Sequence, residues 1–512
     1  MFSSMTNFLK SNFVSVFLFL FALLYGAFSR VVGMIFYTQF LGDQVRDQYV
    51  IAGITKGILP HLGPQSSIGL YSIPPLYYYL SSIFAFFDPS NPNLAIASNA
   101  LCSFFEIFLF GFLIFRLLKY FSLRLRLLGA SLGCALWSVF FVDILLNAQE
   151  WNPSSLNFFL FGFILVFDKI FDCSSKYAFA WWIIQGLILS IIVSLHSSGL
   201  FIFPFVYLLC SLFFIYLRPK YWYLPWLGFL SSLAFLTPYW LGEFSTRFAN
   251  TKLLLKTLIN KSGESHGFLN RIEQPIKSLA NFGDEAYFVG LHTPFLFLVC
   301  ILSCGLIVFR YRKMLSSRLL ALYSLVILVF GVAISSYDGV VYAHYAVVGW
   351  SFGLIVPILA LIITISKIKW QELLENLNPA KKVQVWLAKI TLPLFVLSVI
   401  CVLFITNLNA SNQLIVTKIG RERLPNTADY AKVVDQLPAN TILCSHSDQI
   451  PAFQYFASVQ NKQIKTQNLD EAGCRFSVIP KFRIENRILR PNTLSTTKAT
   501  TWENEAILIY AN

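Results

Sequence analysis

Long apolar runs alternate with short polar segments over the first four fifths of the chain. As helices, runs of about 18 to 25 residues are long enough to cross a hydrocarbon core of roughly 30 Å. The pattern predicts about 11 membrane-spanning helices, at residues 13 to 38, 93 to 117, 126 to 146, 154 to 171, 177 to 195, 198 to 217, 223 to 241, 293 to 311, 318 to 336, 342 to 366 and 389 to 408.

The loop after the first run, residues 39 to 92, contains two apolar segments that are too short to span. Residues 74 to 87, PPLYYYLSSIFAFF, would form a helix only about 21 Å long. In residues 47 to 58, apolar side chains recur at helical spacing, and the polar ones, Asp47 and Gln48 among them, are expected to point away from that face. Both segments are predicted to be interfacial helices.

The last part of the chain, residues 409 to 512, regains the composition of a soluble protein. Its pattern predicts a small α/β domain, with helices near 427 to 437 and 450 to 459 and strands near 440 to 447, 475 to 480 and 505 to 511. The chain therefore divides into a membrane domain, residues 1 to 408, and this C-terminal domain. No chemistry is assigned to the latter from its sequence.

Composition agrees with a multi-pass membrane protein, since 56% of the residues are hydrophobic and only 12% are charged. The formal charge of +14 does not indicate a nucleic-acid partner, because the basic residues lie in short clusters between apolar runs. The four clusters are Arg116, Lys119, Arg124 and Arg126; Arg218 and Lys220; Arg310, Arg312, Lys313 and Arg318; and Lys367, Lys369, Lys381 and Lys382.

These clusters predict the sidedness of the chain. If residues 74 to 87 do not cross, all four lie on the same side as the N-terminus, which the positive-inside rule makes cytoplasmic. We expect a plasma (inner) membrane protein whose C-terminal domain is extracytoplasmic. Cys444 and Cys474 lie in that domain and could pair in an oxidising compartment.

Candidate chemistry lies on the predicted outer face. Asp43 and Asp47 follow the first helix closely enough to sit near the lipid headgroups. A carboxylate at this depth can accept a proton or bind a cation while a lipid-borne substrate lies alongside. The alternative is a solvated loop carboxylate paired with Arg46.

This stretch resembles the GT-C glycosyltransferase superfamily, through the Asp43 and Arg46 spacing and a Pro-Pro-Leu-Tyr turn at residues 74 to 77. It is most similar to bacterial polyprenyl-phosphate-sugar enzymes, which include lipid A aminoarabinose transferases and protein O-mannosyltransferases. The likeness in architecture covers residues 1 to 408, with two outer loops, 39 to 92 and 242 to 292. The sharp motifs occupy only residues 43 to 80.

The resemblance implies an inverting transfer of a hexosyl or pentosyl group from a polyprenyl-phosphate donor to a lipid, glycan or protein acceptor. It implies Asp43 as the general base, with Asp47 as the second candidate and Gln44 and Arg46 as donor-binding residues. The family often has Asp-Glu where this chain has Asp43-Gln44. One carboxylate is missing from that pair, which argues against a divalent metal, and no cofactor is predicted with certainty.

Two further outer segments carry candidate substrate-binding residues. Glu150 and Asn152, in NAQEWNPSS, resemble a second acidic site of the family, although Pro153 near a helix start is also ordinary capping chemistry. His196, at an outer helix end, is either a substrate contact or a local hydrogen-bonding residue.

Candidate phosphate-binding residues lie further along the chain. His344 and Tyr345 resemble the entry to a late helix of the family that holds the donor phosphate, and an interfacial aromatic belt explains Tyr345 equally well. The loop from 242 to 292 is basic although it lies outside, which favours an anionic headgroup. Arg247 lies nearest the membrane there and is the first choice.

One residue favours another class of protein. Glu106 lies within a predicted span, where an ionised side chain is costly, and a multi-pass transporter or flippase for a lipid-linked or anionic substrate would use such a group. Transporters usually have several polar residues at this depth, and Glu106 is expected to be nearly alone.

Overall fold

The computed structural model describes residues 12–36, 40–66, 71–172, 175–259, 287–289, 291, 294–335, 343–367, 379–419, 426–445, 447, 449–468, 476–480, 500–503 and 507–511. Over these ranges the chain is a polytopic α-helical protein that ends in a small α/β unit.

The membrane part consists almost entirely of helices. They are α1 Phe13–Ile35, α2 Gly42–Thr55, α3 Leu76–Ala85, α4 Pro92–Leu117, α5 Leu123–Val139, α6 Phe141–Asn147, α7 Leu156–Asp172, α8 Ser175–Leu195, α9 Ser197–Leu217, α10 Tyr223–Phe235, α11 Thr237–Ser245, α12 Ala249–Ile259, α13 Pro294–Arg310, α14 Ser317–Ser335, α15 Trp350–Ser366 and α16 Pro379–Ile419. Short 3₁₀ segments occupy Pro219–Tyr221, Arg312–Met314 and Ala343–Gly349.

Each predicted span coincides with helical structure. In the described part of the chain, six segments are long and apolar enough to cross a membrane; they lie in α1, α4, α8, α9, α15 and α16. The bent pair α5–α6 raises this number to seven, and α13 and α14 contain shorter apolar segments. The multi-pass architecture is confirmed, and the count of eleven stays a prediction.

The predicted helix at 126 to 146 is broken at Phe140, where α5 and α6 meet at 55°. The break frees backbone groups that a bilayer cannot hydrogen-bond. Side chains of α16 satisfy them: Asn407 Oδ1 accepts from the Phe141 amide at 3.0 Å, and Ser411 Oγ donates to the Val139 carbonyl at 2.8 Å. The break is therefore a tertiary feature that no local residue announces.

Described members of each of the four basic clusters lie at one end of the helices. Arg116 pairs with Asp168, and Arg318 lies 3.3 Å from Asp172. Arg218 binds at the end of α7 as well, where it donates to the Phe171 carbonyl at 2.9 Å. The ammonium group of Lys367, in the fourth cluster, lies 5.1 Å from the ring of Tyr311, which is the neighbour of Arg310 and Arg312 in the third. These residues therefore share one end of the helices, and the assignment of that end to the cytoplasm stays a prediction.

The first outer loop contains the two predicted short helices, α2 and α3, and neither is long enough to cross a bilayer. Between them the chain folds back at an isolated bridge between Gln65 and Ser72. The Gly63 amide donates to the Ile73 carbonyl at 2.8 Å. A Cβ on Gly63 would lie 2.3 Å from the Pro74 carbonyl oxygen, so this close approach requires glycine.

The C-terminal unit contains helices α17 Thr427–Gln436 and α18 Ile450–Val459. Its five strands are β1 Thr441–Ser445, β2 Ile464–Asn468, β3 Phe476–Pro480, β4 Thr500–Glu503 and β5 Ile507–Ala511. They form one sheet in the order β2-β1-β3-β5-β4, with parallel β2-β1 and β1-β3 pairs and antiparallel β3-β5 and β4-β5 pairs. The sequence predicted both helices and the three central strands. Cys444 is disulfide-bonded, and Cys474 lies outside the described residues.

Candidate active site

One face of α2 is buried although it is polar. Gln44, Asp47 and Gln48 are buried together with Ile51 and Ile54, which places them on one helical stripe. The expectation that Asp47 and Gln48 point away from the apolar residues is wrong. The stripe packs inward, where Tyr78 donates to Asp47 and the Pro89 carbonyl accepts from Gln48.

Asp47 is the buried carboxylate of this stripe. Its Oδ1 accepts from the Tyr78 hydroxyl of α3 at 2.9 Å and from Arg46 Nε at 2.8 Å. Its Oδ2 is buried and has no hydrogen bond to any described residue. Burial raises the pKa of Asp47 to about 6, although Arg46 and the Tyr78 hydroxyl oppose the rise. A carboxylate with this pKa is ionised at neutral pH and can still take up a proton.

Arg46 lies between two carboxylates. Its guanidinium is 3.0 Å from Asp43 Oδ1 and 2.8 Å from Asp47 Oδ1. The Asp43 side chain is 67% exposed and that of Asp47 only 1%. The solvated ion pair considered for Asp43 is therefore present, and it shares its cation with the buried acid.

Glu150 approaches the same site from the loop between α6 and α7. It is fully buried, and its pKa is raised well above the usual value, first by burial and then by the negative charge of Asp47. Asn152 in the same loop donates to the carbonyl of Leu195, the last residue of α8. Asp47 and Glu150, which are about a hundred residues apart in sequence, therefore interact electrostatically.

His196 caps a helix. Its Nδ1 accepts from the Ser198 amide at 3.2 Å at the start of α9 and lies 2.8 Å from the Ser198 hydroxyl. Of the two roles that the sequence left open for His196, the structure shows the local hydrogen-bonding one. Since Asn152 binds the neighbouring carbonyl of Leu195, this corner also holds the Glu150 loop in place.

Arg247 lies exposed at the corner between α11 and α12. Its φ is 54° and that of Phe248 is 60°, a left-handed pair that is unusual for residues with bulky side chains. The next turn contacts the first outer loop, because Asn250 Oδ1 accepts from the Ser72 amide at 2.6 Å and Asn250 Nδ2 donates to the Ser72 carbonyl at 2.9 Å. Arg247 is therefore carried on a strained corner that is fixed to the acidic loop.

Some candidates cannot be placed against this site. His344 and Tyr345 belong to the 3₁₀ segment Ala343–Gly349, but their side chains lie outside the described residues. Lys261 and Arg271, two of the basic residues of the loop from 242 to 292, also lie outside them. Among the residues that the structure does describe, no group of three or more His, Cys, Asp or Glu side chains could hold a metal ion.

A second polar cluster lies inside the membrane part. Arg30 of α1 pairs with Asp143 of α6 at 2.7 Å and donates to Ser103 of α4 at 3.1 Å. Ser103 in turn donates to Asp143 at 2.9 Å. Glu106 accepts from the Trp137 indole at 2.7 Å and interacts with Asp143. The expectation that Glu106 is nearly alone is wrong.

The sequence analysis did not identify Arg30, Asp143 or Tyr78 as site residues, and it did not predict the burial of Asp47. The first two could have been found in the sequence and the other two features could not. Arg30 and Asp143 are ionisable residues inside apolar runs, which is itself a signal. The role of Tyr78 was hidden in the run of three tyrosines, which interfacial anchoring explains equally well. The burial of Asp47 depends on contacts between distant parts of the chain.

No protein-family model and no curated protein matches the chain. Solved structures match its fold. ArnT from Cupriavidus metallidurans bound to undecaprenyl phosphate aligns with a TM-score of 0.51 and 13% identity over 95% of this chain and 97% of that chain. The chain has a GT-C fold.

The apo form of the same ArnT aligns with a TM-score of 0.50 and 14% identity, with 95% and 97% of the two chains covered. An oligosaccharyltransferase from Archaeoglobus fulgidus, tethered with an acceptor peptide, aligns with a TM-score of 0.46 and 12% identity over 87% of this chain and 63% of that chain. The likeness to ArnT shows the fold alone, and at this sequence identity the reaction has to be argued from the site.

Proposed function

We propose that the chain is a membrane glycosyltransferase that moves a sugar from a polyprenyl-phosphate donor to an acceptor at the outer face of the membrane, with inversion. The observation that carries the proposal is Asp47. It is a buried carboxylate with a pKa of about 6, held by Arg46 and Tyr78 on the loop that follows the first span of a GT-C fold. The ArnT structure with the same fold was solved bound to undecaprenyl phosphate.

The proposed base is a carboxylate of α2, and the geometry supports Asp47 more strongly than Asp43. General-base catalysis favours a pKa near the working pH, which burial gives Asp47. Arg46 and Tyr78 bind Oδ1, so Oδ2 is the oxygen left to receive a proton. Asp43, the first candidate from the sequence, remains a candidate base. Its neighbour Gln44 lies on the buried stripe.

The reaction is a single displacement. The acceptor hydroxyl loses its proton to Asp47, and its oxygen attacks the anomeric carbon from the face opposite the phosphate. The bond between that carbon and the phosphate oxygen breaks, its electron pair leaves with the polyprenyl phosphate, and the configuration inverts. The buried Glu150 faces the same region, and we propose that it and Asn152 line the sugar site.

The leaving phosphate needs cationic or hydroxyl donors, which the proposal assigns to Arg247, His344 and Tyr345. Arg247 is exposed on a corner fixed to the acidic loop through Asn250 and Ser72. A strained backbone at a candidate binding residue agrees with such a role, since strain concentrates at functional sites.

The proposed site is extracytoplasmic. Two observations support this sidedness. The basic clusters converge at one end of the helices, as the positive-inside rule requires of the cytoplasmic face. Cys444 is disulfide-bonded in the C-terminal unit, and disulfides persist mainly in oxidising compartments. We therefore propose a plasma (inner) membrane protein with residues 409 to 512 outside.

The test is direct transfer. Purified protein in detergent is given a panel of radiolabelled polyprenyl-phosphate hexoses and pentoses, each with lipid, glycan and peptide acceptors. We expect the label of one donor to move to one acceptor class, with release of an equal amount of polyprenyl phosphate. Absence of transfer from every donor would contradict the proposal.

A transporter or flippase is the second candidate, and the cluster of Arg30, Asp143 and Glu106 is the observation in its favour. Glu106→Gln separates the two functions. A proton-coupled transporter should lose most of its uptake with this variant, whereas a transferase should keep its rate if the protein folds normally.

A further inference from the structure

The C-terminal unit packs directly on the loop that carries the acidic helix α2. Phe40, Val45 and Ile96 of the membrane part belong to one buried cluster with the apolar residues of α17 and α18. The members from the C-terminal unit are Tyr430, Val433, Val434, Leu437, Leu443, Ala452, Phe453, Tyr455, Phe456 and Ala457. The two parts therefore share a hydrophobic core.

Tyr455 of α18 is the central residue of this contact. It is buried, and its ring lies edge-on to the rings of Phe40 and Tyr49, with centroid distances of 5.2 Å in both cases. Phe40 precedes α2 and Tyr49 lies on it. The aromatic contacts therefore hold α2 from its start to its middle.

The same tyrosine fixes the far end of the loop. The Tyr455 hydroxyl donates to the Ser90 carbonyl at 3.1 Å, and Gln48 of α2 donates to the adjacent Pro89 carbonyl at 3.1 Å. Two consecutive carbonyls thus bind one side chain from α18 and one from α2. Gln48 directly follows Asp47, so this turn constrains the rotation of the acidic residue.

Helix α17 adds a second connection, to Asn93 at the end of the loop. Thr427 Oγ donates to Asn93 Oδ1 at 2.8 Å, and Asn93 Nδ2 donates to the Ile35 carbonyl at 3.0 Å. Ile35 is the last residue of α1 and Asn93 lies at the start of α4. The two ends of the acidic loop are therefore hydrogen-bonded directly to each other, and Thr427 of the C-terminal unit binds the asparagine that joins them.

We propose that the C-terminal unit positions α2, with Tyr455 as the positioning residue that keeps Asp47 facing Tyr78. This inference rests on the function proposed above. It gives a role to a domain whose sequence carries no recognisable chemistry. Tyr455 acts through Asp47 and touches no reacting atom.

The first test measures exchange and needs no substrate. Tyr455→Ala removes both ring contacts and the hydroxyl, whereas Tyr455→Phe removes only the hydroxyl. Hydrogen–deuterium exchange of residues 42 to 55 should rise in Tyr455→Ala and change little in Tyr455→Phe. Tyr49→Ala removes one ring contact from the α2 side and leaves the C-terminal unit intact, so it should raise exchange in α2 even if Tyr455→Ala misfolds.

The second test measures the pH profile of transfer. The charged and titratable groups around Asp47 are Arg46 and Asp43 of α2, Tyr78 of α3 and the buried Glu150. If α2 loosens, Asp47 becomes more hydrated, and the acid limb of kcat/KM should move from about pH 6 toward lower pH. A displaced base should also lower kcat by about 10²-fold with little change in donor KM. Tyr455→Phe should lose less than about tenfold.

Gln454→Ala is the matched control, because Gln454 also lies on α18 but its side chain donates to Thr466 inside the C-terminal unit. Unchanged exchange of α2 in both Tyr455→Ala and Tyr49→Ala would overturn the positioning proposal. A loss of activity without movement of the acid limb would do the same, since reduced folding alone predicts it. If wild-type protein transfers no sugar, the proposed function fails while the exchange experiment still decides the contact.

Discussion

Replacing Asp47 by asparagine is the sharpest perturbation of the proposed reaction. Asparagine has nearly the same shape, and its side-chain oxygen can still accept from Tyr78, which lies 2.9 Å from Oδ1 in the wild type. The substitution therefore removes the proton acceptor and leaves most of the packing. Loss of a general base costs typically about 10²- to 10⁴-fold in rate, and we expect kcat to fall within that range.

The structure also sets the pH dependence. Asp47 must be ionised to accept a proton, and its pKa is raised to about 6. The wild-type kcat/KM should therefore fall about tenfold for each pH unit below about 6. In Asp47→Asn this acid limb should disappear and leave a low, flat residual rate. Both quantities come from one assay, the transfer of labelled sugar between about pH 4.5 and 8.

Two matched variants complete the experiment. Asp435→Asn makes the same charge change at an exposed residue of the C-terminal unit, where the side chain is 78% exposed, and should leave the rate unchanged. Asp43→Asn removes the exposed partner of Arg46 and should cost much less than Asp47→Asn. The reasoning is refuted if Asp47→Asn keeps more than about half of the rate, or if Asp43→Asn costs more and abolishes the acid limb.

Three further predictions follow from named contacts. Arg46→Met should move the acid limb above about pH 6, because Arg46 is the strongest of the groups that lower the pKa of Asp47. Tyr78→Phe should move the acid limb upward by a smaller amount, and a downward shift in either variant would contradict the electrostatic account. Arg30→Met should lower stability by about 3–5 kcal/mol, because it leaves the buried carboxylate of Asp143 without its cation, and an unchanged thermal melting curve in detergent would contradict this. Gly63→Ala should disorder the first outer loop, because its Cβ meets a backbone carbonyl at 2.3 Å; wild-type protease resistance of that loop would show that the backbone yields easily.

The membrane helices could be located from the sequence because hydrophobic thickness sets their length. The predicted span 93 to 117 differs by one residue from Pro92–Leu117, and 198 to 217 differs by one from Ser197–Leu217. The breaks at Phe140 and Leu236 could not be found in this way. The first depends on Asn407 and Ser411 from a helix about 270 residues away.

The two strands that the sequence analysis missed are both edge strands. β2, Ile464–Asn468, and β4, Thr500–Glu503, lie at the two ends of the sheet order. Edge strands are often short and polar, which weakens the alternating apolar signal that identifies central strands. The central strands β1, β3 and β5 carry that signal and were predicted.

The location of the candidate site in the first outer loop stays a prediction, and the structure adds a geometry that the sequence could not provide. Sequence pattern identified the outer loop and its two carboxylates, because a resemblance in motif needs no contacts. It could not show which carboxylate is buried, since the environment of Asp47 comes from Tyr78, from Glu150 and from the packing of α18. The motif ranked Asp43 above Asp47 as the candidate base. In the structure Asp47 is the buried carboxylate and Asp43 the exposed one.

The central claim is that this chain transfers a sugar on one side of the membrane. Sealed proteoliposomes with labelled polyprenyl-phosphate sugar in the bilayer and acceptor on one side only test it most directly. We predict labelled acceptor and free polyprenyl phosphate only when the acceptor is on the side of the C-terminal unit. Intact labelled donor that accumulates in the opposite leaflet, with no labelled acceptor, would contradict the claim and identify a flippase.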